Sequence, residues 1–498
     1  MNRSNGGRIE TVLLVDVPTY HVELPGLHGE ILARRLRAQN MILEHRLRSR
    51  ITRPAMHYSR GLLTIAACLQ QHGFAVKYLN HADVVDRKQI PSLAKEADAV
   101  GISCLTPTFG IVKHVCDAVK VSKPDTVIVL GGPHVTARPR ETLEECPSAD
   151  FAMIGECEIR LPALLRSIDN PEPVGGTAYR VKDGSVVMSS APVPPVVVRQ
   201  LPLPAYHLLS RPLSEYAHNV RTARGCRYGC GFCTERLSWR SPEESRRGSE
   251  QVLEELEFLS ARLPQNTLVH FSDAVFNADW GNTAELVDRI EAARFSLLFS
   301  LDTRADRVVE NEVRALANAG FKYFRLGFES LHDDLLRACG KAATRRDQQS
   351  ASDIIRRVGD DLAIHAYMLT GLPGTTHESL VLDAIEIGRM IASDTVDVVG
   401  NKILVPYPGS PYYDAASEVG ISILTHDWSK YDRRSCPVYR LKNLSSDEIY
   451  SGYLLQELAL ALAYLDKLEA CGVHPGGANE NHGHVDYVYA NYVRETDS

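Results

Sequence analysis

Cys226, Cys230 and Cys233 stand in a CxxxCxxC spacing within the segment Arg221-Thr-Ala-Arg-Gly-Cys-Arg-Tyr-Gly-Cys-Gly-Phe-Cys233. Three thiolates on so short a loop can hold three irons of a cuboidal four-iron four-sulfur cluster, since Cys thiolates are the usual protein ligands of iron–sulfur centres. The loop supplies no fourth Cys, which leaves one iron open to a small molecule. A structural zinc ion is the competing use of such thiols. Zinc normally takes four protein ligands, in CxxC-type pairs or Cys/His sets, and the loop lacks the fourth. The other cysteines (Cys68, Cys104, Cys116, Cys146, Cys157, Cys339, Cys436 and Cys471) are scattered. They suit buried small side chains in a reducing compartment, where an oxygen-labile cluster would also persist.

Read with its neighbours, the loop resembles the radical S-adenosylmethionine (radical SAM) superfamily, whose pattern includes an aromatic residue before the third cysteine, here Phe232. The resemblance implies a 4Fe-4S cluster whose open iron is chelated by the amino and carboxylate groups of S-adenosylmethionine. It also implies one-electron cleavage of that molecule to a 5′-deoxyadenosyl radical, driven by an external donor of flavodoxin or ferredoxin type. Further positions carry over one at a time. Ser272 and Asp273, in Phe271-Ser-Asp-Ala-Val-Phe-Asn277, resemble the acidic segment beside S-adenosylmethionine, with a helix-capping Asp as the alternative. Glu329 and Ser330, in Gly327-Phe-Glu-Ser330, resemble the element whose carboxylate and hydroxyl contact the cosubstrate. Gly371, in Gly371-Leu-Pro-Gly374, would bring backbone near the adenine unless it forms a plain turn. Arg304 is a candidate carboxylate clamp or a structural ion pair, and Pro406-Tyr-Pro-Gly-Ser-Pro411 is typical of one subgroup.

Loops like these need rigid strands beneath them. The strand entering the cysteines and the apolar runs at Thr267–Phe271, Leu297–Leu301, Tyr323–Gly327, Ile364–Met368 and Val396–Val405 make six strand–helix units. Six units suit a partial (β/α)6 TIM barrel, with reactive groups at the C-terminal strand ends. Upstream, Thr11–Asp16, Ala75–Leu79, Ala99–Ser103 and Thr126–Leu130 alternate with helical stretches such as 61–72, which predicts a doubly wound, Rossmann-like parallel sheet. The expected organisation is therefore α/β. Residues 1–170 form the sheet domain, 171–215 a Pro/Gly-punctuated connector, 216–415 the barrel, and 416–498 a C-terminal helical region and tail. In that last region Ser446–Ala470 reads as an amphipathic helix whose Leu454, Leu455, Leu458, Leu460 and Leu462 pack on the barrel. The polar stretch from Gly476 to Ser498 reads as a mobile end.

The sheet domain has its own ligand signal. Ser103 and Leu105 follow one strand, and Gly131 and Gly132 follow the next. Both turns lie where open α/β sheets bind ligands, and glycines permit close backbone approach. They match the S-x-L and G-G elements of cobalamin-binding domains, and Gly155-Glu-Cys-Glu158 is similar text, so the chain resembles the cobalamin-binding subgroup of radical SAM enzymes. The D-x-H-x-x-G motif that places a His under cobalt is absent; Asp16-Val-Pro-Thr-Tyr20 stands instead. The resemblance thus implies cobalamin without a His ligand to cobalt, with a domain that has lost its corrinoid as the alternative. His21, His28, His45 and His57 are read as structural or solvated. The arginines of the same insertion (Arg34, Arg35, Arg37, Arg46, Arg48, Arg50, Arg53, Arg60) read as a solvated helix face, or as one turned to phosphate groups.

Composition narrows the class. In 498 residues the 44% hydrophobic and 23% charged content is that of an ordinary globular protein, and a net charge of −7 argues against a nucleic-acid partner. No apolar leader or membrane-length run is present, which points to the cytoplasm with no membrane partner. The expected function is a cobalamin-dependent radical SAM methyltransferase. It would transfer a methyl group to an unactivated carbon of a small molecule, a secondary metabolite, by way of the 5′-deoxyadenosyl radical and methylcobalamin. A non-methylating rearrangement, ring contraction or oxidative cyclisation with the same cofactors, and a non-catalytic electron carrier, stand as alternatives.

Overall fold

The computed structural model describes residues 8–17, 27–48, 54, 56–80, 89–172, 174–181, 183–239 and 245–472. Pro18–Tyr20, His21, Arg50, Arg53 and the tail Gly476–Ser498 lie outside the described residues, as does the side chain of His28.

Strands β1 (Thr11–Asp16), β2 (Ala75–Leu79), β3 (Ala99–Ser103), β4 (Val127–Gly131), β5 (Phe151–Met153), β6 (Thr177–Arg180) and β7 (Val186–Met188) form one sheet in the order β2-β1-β3-β4-β5-β6-β7. The first five are parallel and the last two antiparallel. Strands β1, β3 and β4 are covered on both faces, which is why their sequences are unbroken apolar runs. The order 2-1-3-4-5 reverses direction between β1 and β3, the switch point at which doubly wound sheets open a ligand crevice. β6 and β7 sit inside the stretch expected as a connector, where short strands among Pro and Gly leave little periodic signal.

The second unit begins with β8 (His218–Val220), followed by a two-stranded ribbon of β9 (Ala223–Arg224) and β10 (Ser245–Arg246). β11 (Leu268–Phe271), β12 (Leu298–Arg304), β13 (Phe321–Glu329), β14 (Ala363–Thr370) and β15 (Val398–Ile403) join β8 in a parallel six-stranded sheet, the partial barrel. Here one strand face meets the helices and the other the lumen, so burial alternates along β13 and β14. The lumen receives the polar residues of these strands, among them His270, Asp302, Arg325 and Lys402. A small antiparallel pair, β16 (Ile421–Ile423) with β17 (Tyr439–Leu441), precedes the helix Ser446–Ala470. No helix among the described residues is long and apolar enough to cross a membrane.

Two expectations need correction. The helix Leu27–Arg46 packs against Ser446–Ala470 rather than presenting all its arginines to water. Arg35 is buried, paired with Glu457 at 3.0 Å and donating to the Val399 carbonyl at 3.0 Å, while Tyr464 caps the Val399 N–H at 2.8 Å. The edge strand β15 is thereby protected from stray pairing. The second concerns the C-terminal leucines. Leu460 is buried, but Leu455, Leu458 and Leu462 are exposed, and the packed face is Ile449, Tyr453, Gln456, Leu460 and Tyr464.

Candidate functional site

The cysteine loop leaves β8 through a pinned backbone. Asp273, buried after β11, accepts hydrogen bonds from the Thr222 N–H at 3.0 Å and hydroxyl at 2.8 Å, and a further one from the Ala223 N–H. Burial pushes its carboxyl up, and these donors pull it back. Its carboxylate thus positions the chain entering the cysteines and caps no helix. Ser272, beside it, donates its N–H to the Val220 carbonyl at 2.9 Å. Further along, Arg224 is clamped by Glu156 at 2.6 Å and Glu158 at 2.7 Å, tying the loop to the turn after β5.

Cys226 and Cys230 are half-buried and Cys233 is exposed. Among the described residues no three His, Cys, Asp or Glu side chains converge as a single metal ion would require. Zinc would take four protein ligands where the loop offers three, whereas a cluster takes each thiolate on a separate iron. The fold also brings up a cysteine that spacing could not reveal. The Cys339 carbonyl accepts from the Gly231 N–H at 2.9 Å, while its thiol donates to the Leu336 carbonyl at 3.2 Å. Burial pushes the Cys339 thiol up to about 12. That thiol is engaged with its own helix, and the three cysteines of the loop are the donor set that fits a cluster with one open iron. Phe232 packs into the apolar cluster around Leu335, Leu372 and Tyr412 behind the loop.

Charged pairs ring the strand ends. Glu329 ends β13 in the left-handed region at φ 65°, next to a register shift, and Lys341 donates to it at 2.9 Å. A Cβ on Gly327 would lie 2.6 Å from both the Glu329 carboxylate and the Lys341 ammonium, so a larger residue there would displace the ends of that pair. Backbone strain of this kind persists where the surroundings over-determine it, commonly at functional sites. The Ser330 hydroxyl accepts from the His332 N–H at 3.1 Å. Arg304 makes a two-pronged pair with Asp306 at 2.9 and 2.8 Å, lies over the Tyr228 ring at 4.1 Å, and points its remaining nitrogen at Cys230 Sγ, 3.9 Å away. It is a structural ion pair with a face toward the loop. Gly371 accepts at its carbonyl from Tyr439 Oη at 2.6 Å.

Deeper in the lumen lie groups that the motifs did not announce. His270 lies 3.0 Å from Ser300 Oγ and 3.1 Å from Asp302, and Arg325 reaches both His270 at 2.9 Å and Asp302 at 3.2 Å. Their only signal was a polar residue at alternate places in otherwise apolar strands.

On the sheet side, the turns after β3 and β4 are bonded to each other. Cys104 donates its N–H to Gly131 at 2.8 Å and accepts from the His134 N–H at 3.3 Å. Gly132 has φ 106°, and a Cβ there would stand 2.8 Å from the Cys104 carbonyl oxygen. Ser103, Gly131 and Gly132 line a cavity of 370 Å³ together with Arg221, Arg224 and Glu235 from the flanks of the cysteine loop. Leu105 and Pro133 line a second, of 360 Å³, together with Thr234 and Leu237 just past Cys233. His134 lies behind these turns between Phe109 and Trp428, and burial lowers its imidazole to about 4. His45 and His57 are exposed.

Two family models match the chain, the B12 binding domain over residues 50–165 and the radical SAM superfamily over residues 220–384. The chain belongs with the cobalamin-dependent radical SAM enzymes, joining a B12-binding domain to a radical SAM domain. It is 27% identical to an uncharacterized methyltransferase of Pyrococcus horikoshii, over 71% of this chain and 76% of that one. It is 25% identical to the anaerobic magnesium-protoporphyrin IX monomethyl ester cyclase of Rubrivivax gelatinosus, over 70% of this chain and 62% of that one. Its fold is that of the radical S-adenosylmethionine methyltransferase TsrM from Kitasatospora setae, solved with cobalamin and a 4Fe-4S cluster bound, at a TM-score of 0.64 and 18% identity over 83% of this chain and 80% of that one.

Proposed function

We propose that the protein is a methyltransferase that adds a methyl group to an unactivated carbon of a small-molecule substrate of the secondary-metabolite kind. The observation that supports this most is shared lining: the turns after β3 and β4 and the two flanks of the cysteine loop border the same pair of cavities. When bound, the cluster with S-adenosylmethionine supplies a carbon-centred radical and the corrinoid supplies the methyl group. Cys226, Cys230 and Cys233 hold the cluster as thiolates. Glu329 and Ser330 receive S-adenosylmethionine at the end of β13, Ser272 and the Gly371 turn border it, and Phe232 keeps water from the back of the loop. Asp273 acts at one remove, by fixing Thr222 and Ala223. Ser103, Leu105, Gly131 and Gly132 seat the corrinoid through backbone and apolar contact. His134 is wedged between Phe109 and Trp428 behind the turns and lines neither cavity, which supports a cobalt without a protein imidazole. Electrons come from a flavodoxin- or ferredoxin-type donor in a reducing cytoplasm.

The test is anaerobic reconstitution with iron, sulfide and hydroxocobalamin, followed by incubation with labelled S-adenosylmethionine, candidate substrates and a low-potential reductant. The expected spectrum shows cluster and corrin bands together, and turnover yields a product heavier by one methyl group with both S-adenosylhomocysteine and 5′-deoxyadenosine. The likeness to ester cyclases supports a second reading, a radical rearrangement or oxidative cyclisation. Deoxyadenosine formed alone, with a product that gains no methyl, would select it and overturn the first.

A further inference from the structure

The 360 Å³ cavity has an unbalanced set of charges. Its apolar side is Leu105, Pro133 and Leu237, and facing them are Lys402, Arg433 and Arg434 against one acid, Asp432. That acid is already engaged, its Oδ1 accepting from the Arg434 N–H at 2.7 Å and the Ser435 N–H at 3.2 Å. Lys402 projects from β15 and is half-buried. The carboxylate that acts on it from the C-terminal helix, Glu457, is paired with Arg35 at 3.0 Å, both side chains nearly inaccessible. Burial together with Arg434 and Arg35 pushes the Lys402 ammonium well below the usual lysine range. Cations held close in a poorly hydrated cavity repel one another, and an anion entering between them offsets both the repulsion and the lost hydration.

We propose that this cavity is an anion-binding subsite and that the substrate carries a carboxylate, phosphate or phosphonate group received by Lys402 and Arg434, with Arg433 at the rim. The proposal names the substrate class for the function given above and rests on that reading. An anionic handle fixed at β15 would hold the rest of a small substrate against Leu105, Pro133 and Leu237, between the sheet turns and the cysteine loop. The corrinoid's own phosphodiester is the rival source of negative charge.

The probe is inorganic phosphate, titrated by calorimetry into the protein with and without hydroxocobalamin. Wild-type protein loaded with hydroxocobalamin is expected to bind one phosphate, with affinity falling about tenfold or more in Lys402→Met and in Arg434→Gln. The exposed Lys430→Gln control should leave it unchanged. Unaltered corrin uptake and melting temperature certify that the variants fold. No phosphate binding, or binding indifferent to both substitutions, overturns the proposal. So does binding that disappears once hydroxocobalamin is loaded, because the cations would then serve the corrinoid's phosphodiester. Failure to take up hydroxocobalamin at all would overturn the cofactor reading alone, since phosphate binding is still read on the unloaded protein against the same variants.

Discussion

The two faces that meet at the site are built by different means. The sheet side is mostly backbone: Ser103, Leu105, Gly131 and Gly132 carry no charge, and their turns are held by peptide hydrogen bonds such as Cys104 N–H to Gly131 at 2.8 Å. The barrel side is mostly paired charge, with Lys341 on Glu329, Arg304 on Asp306 and Arg325 on Asp302. A broad, largely uncharged ring is received by shape, so what matters is where a Cβ is missing. A zwitterionic cosubstrate and a cluster that changes charge require fixed ionic partners. The sheet side should therefore fail when volume is added, and the barrel side when a charge or ligand is removed.

The largest effect expected is at the thiols. Cys230→Ala should abolish the iron–sulfur absorption and all deoxyadenosine formation while leaving corrin uptake intact. Loss of both together would show that the two faces are not independent. The next largest lies on the seam between them. Glu255, on the barrel helix Ser249–Ser260, is buried and receives Arg60, from the sheet-side helix Arg60–Gln71, at 2.9 Å and Arg247 at 2.5 Å. Burial alone would push its carboxyl up, but Arg60 and Arg247 outweigh that and hold it at about 2, below its ordinary 4.5. Glu255→Gln leaves two arginines uncompensated and should cost about 3–5 kcal/mol in urea or thermal unfolding. In the wild type this contribution is complete above the unfolded carboxyl value and is lost as pH falls from 4.5 toward 2. Glu255→Gln should accordingly flatten that part of the stability profile.

Lys341→Met tests the barrel side directly. It strands Glu329, whose side chain is 13% exposed, in a strained backbone, and should cost about 3 kcal/mol. Affinity for S-adenosylmethionine should fall with it and hydroxocobalamin affinity should not. Gly132→Ala is the mirror experiment. The left-handed φ and the 2.8 Å approach to Cys104 make an added methyl cost about 2 kcal/mol. Corrin uptake should weaken by about tenfold or more while iron content and deoxyadenosine formation persist.

The same contrast governs what the amino-acid pattern discloses. Strands β1, β3 and β4 are covered on both faces, and β11 to β15 follow helices at regular intervals, so apolar runs locate them closely. The helix Ser446–Ala470 is bounded by a capping box of Ser445 and Glu448, and such local chemistry is readable. Which face of that helix is covered is not local, and a leucine count misled where Tyr453, Gln456 and Tyr464 do the packing. Glycines and cysteines at strand ends stand out because few residue types can replace them. Ionic partners do not: Lys341 lies 12 residues from Glu329, and Arg35 lies 364 from Val399, with no spacing rule to join them. Cys339 is the buried small side chain that its isolation suggests, and only the fold brings it beneath the loop.

The smallest effect is the sharpest on the sheet side. If backbone and bare Cα atoms seat the corrinoid, the Ser103 hydroxyl adds at most one ordinary hydrogen bond, about 0.5–1.5 kcal/mol. Ser103→Ala should then weaken hydroxocobalamin binding about two- to tenfold, less than Gly132→Ala, with no change in melting temperature or in S-adenosylmethionine cleavage. Equilibrium dialysis against hydroxocobalamin separates the cases. If Ser103→Ala removed corrin uptake entirely while Gly132→Ala left it untouched, recognition would run through a side chain rather than through shape. The division between a backbone-built face and a charge-built face would then fail at the sheet, whatever the barrel variants showed.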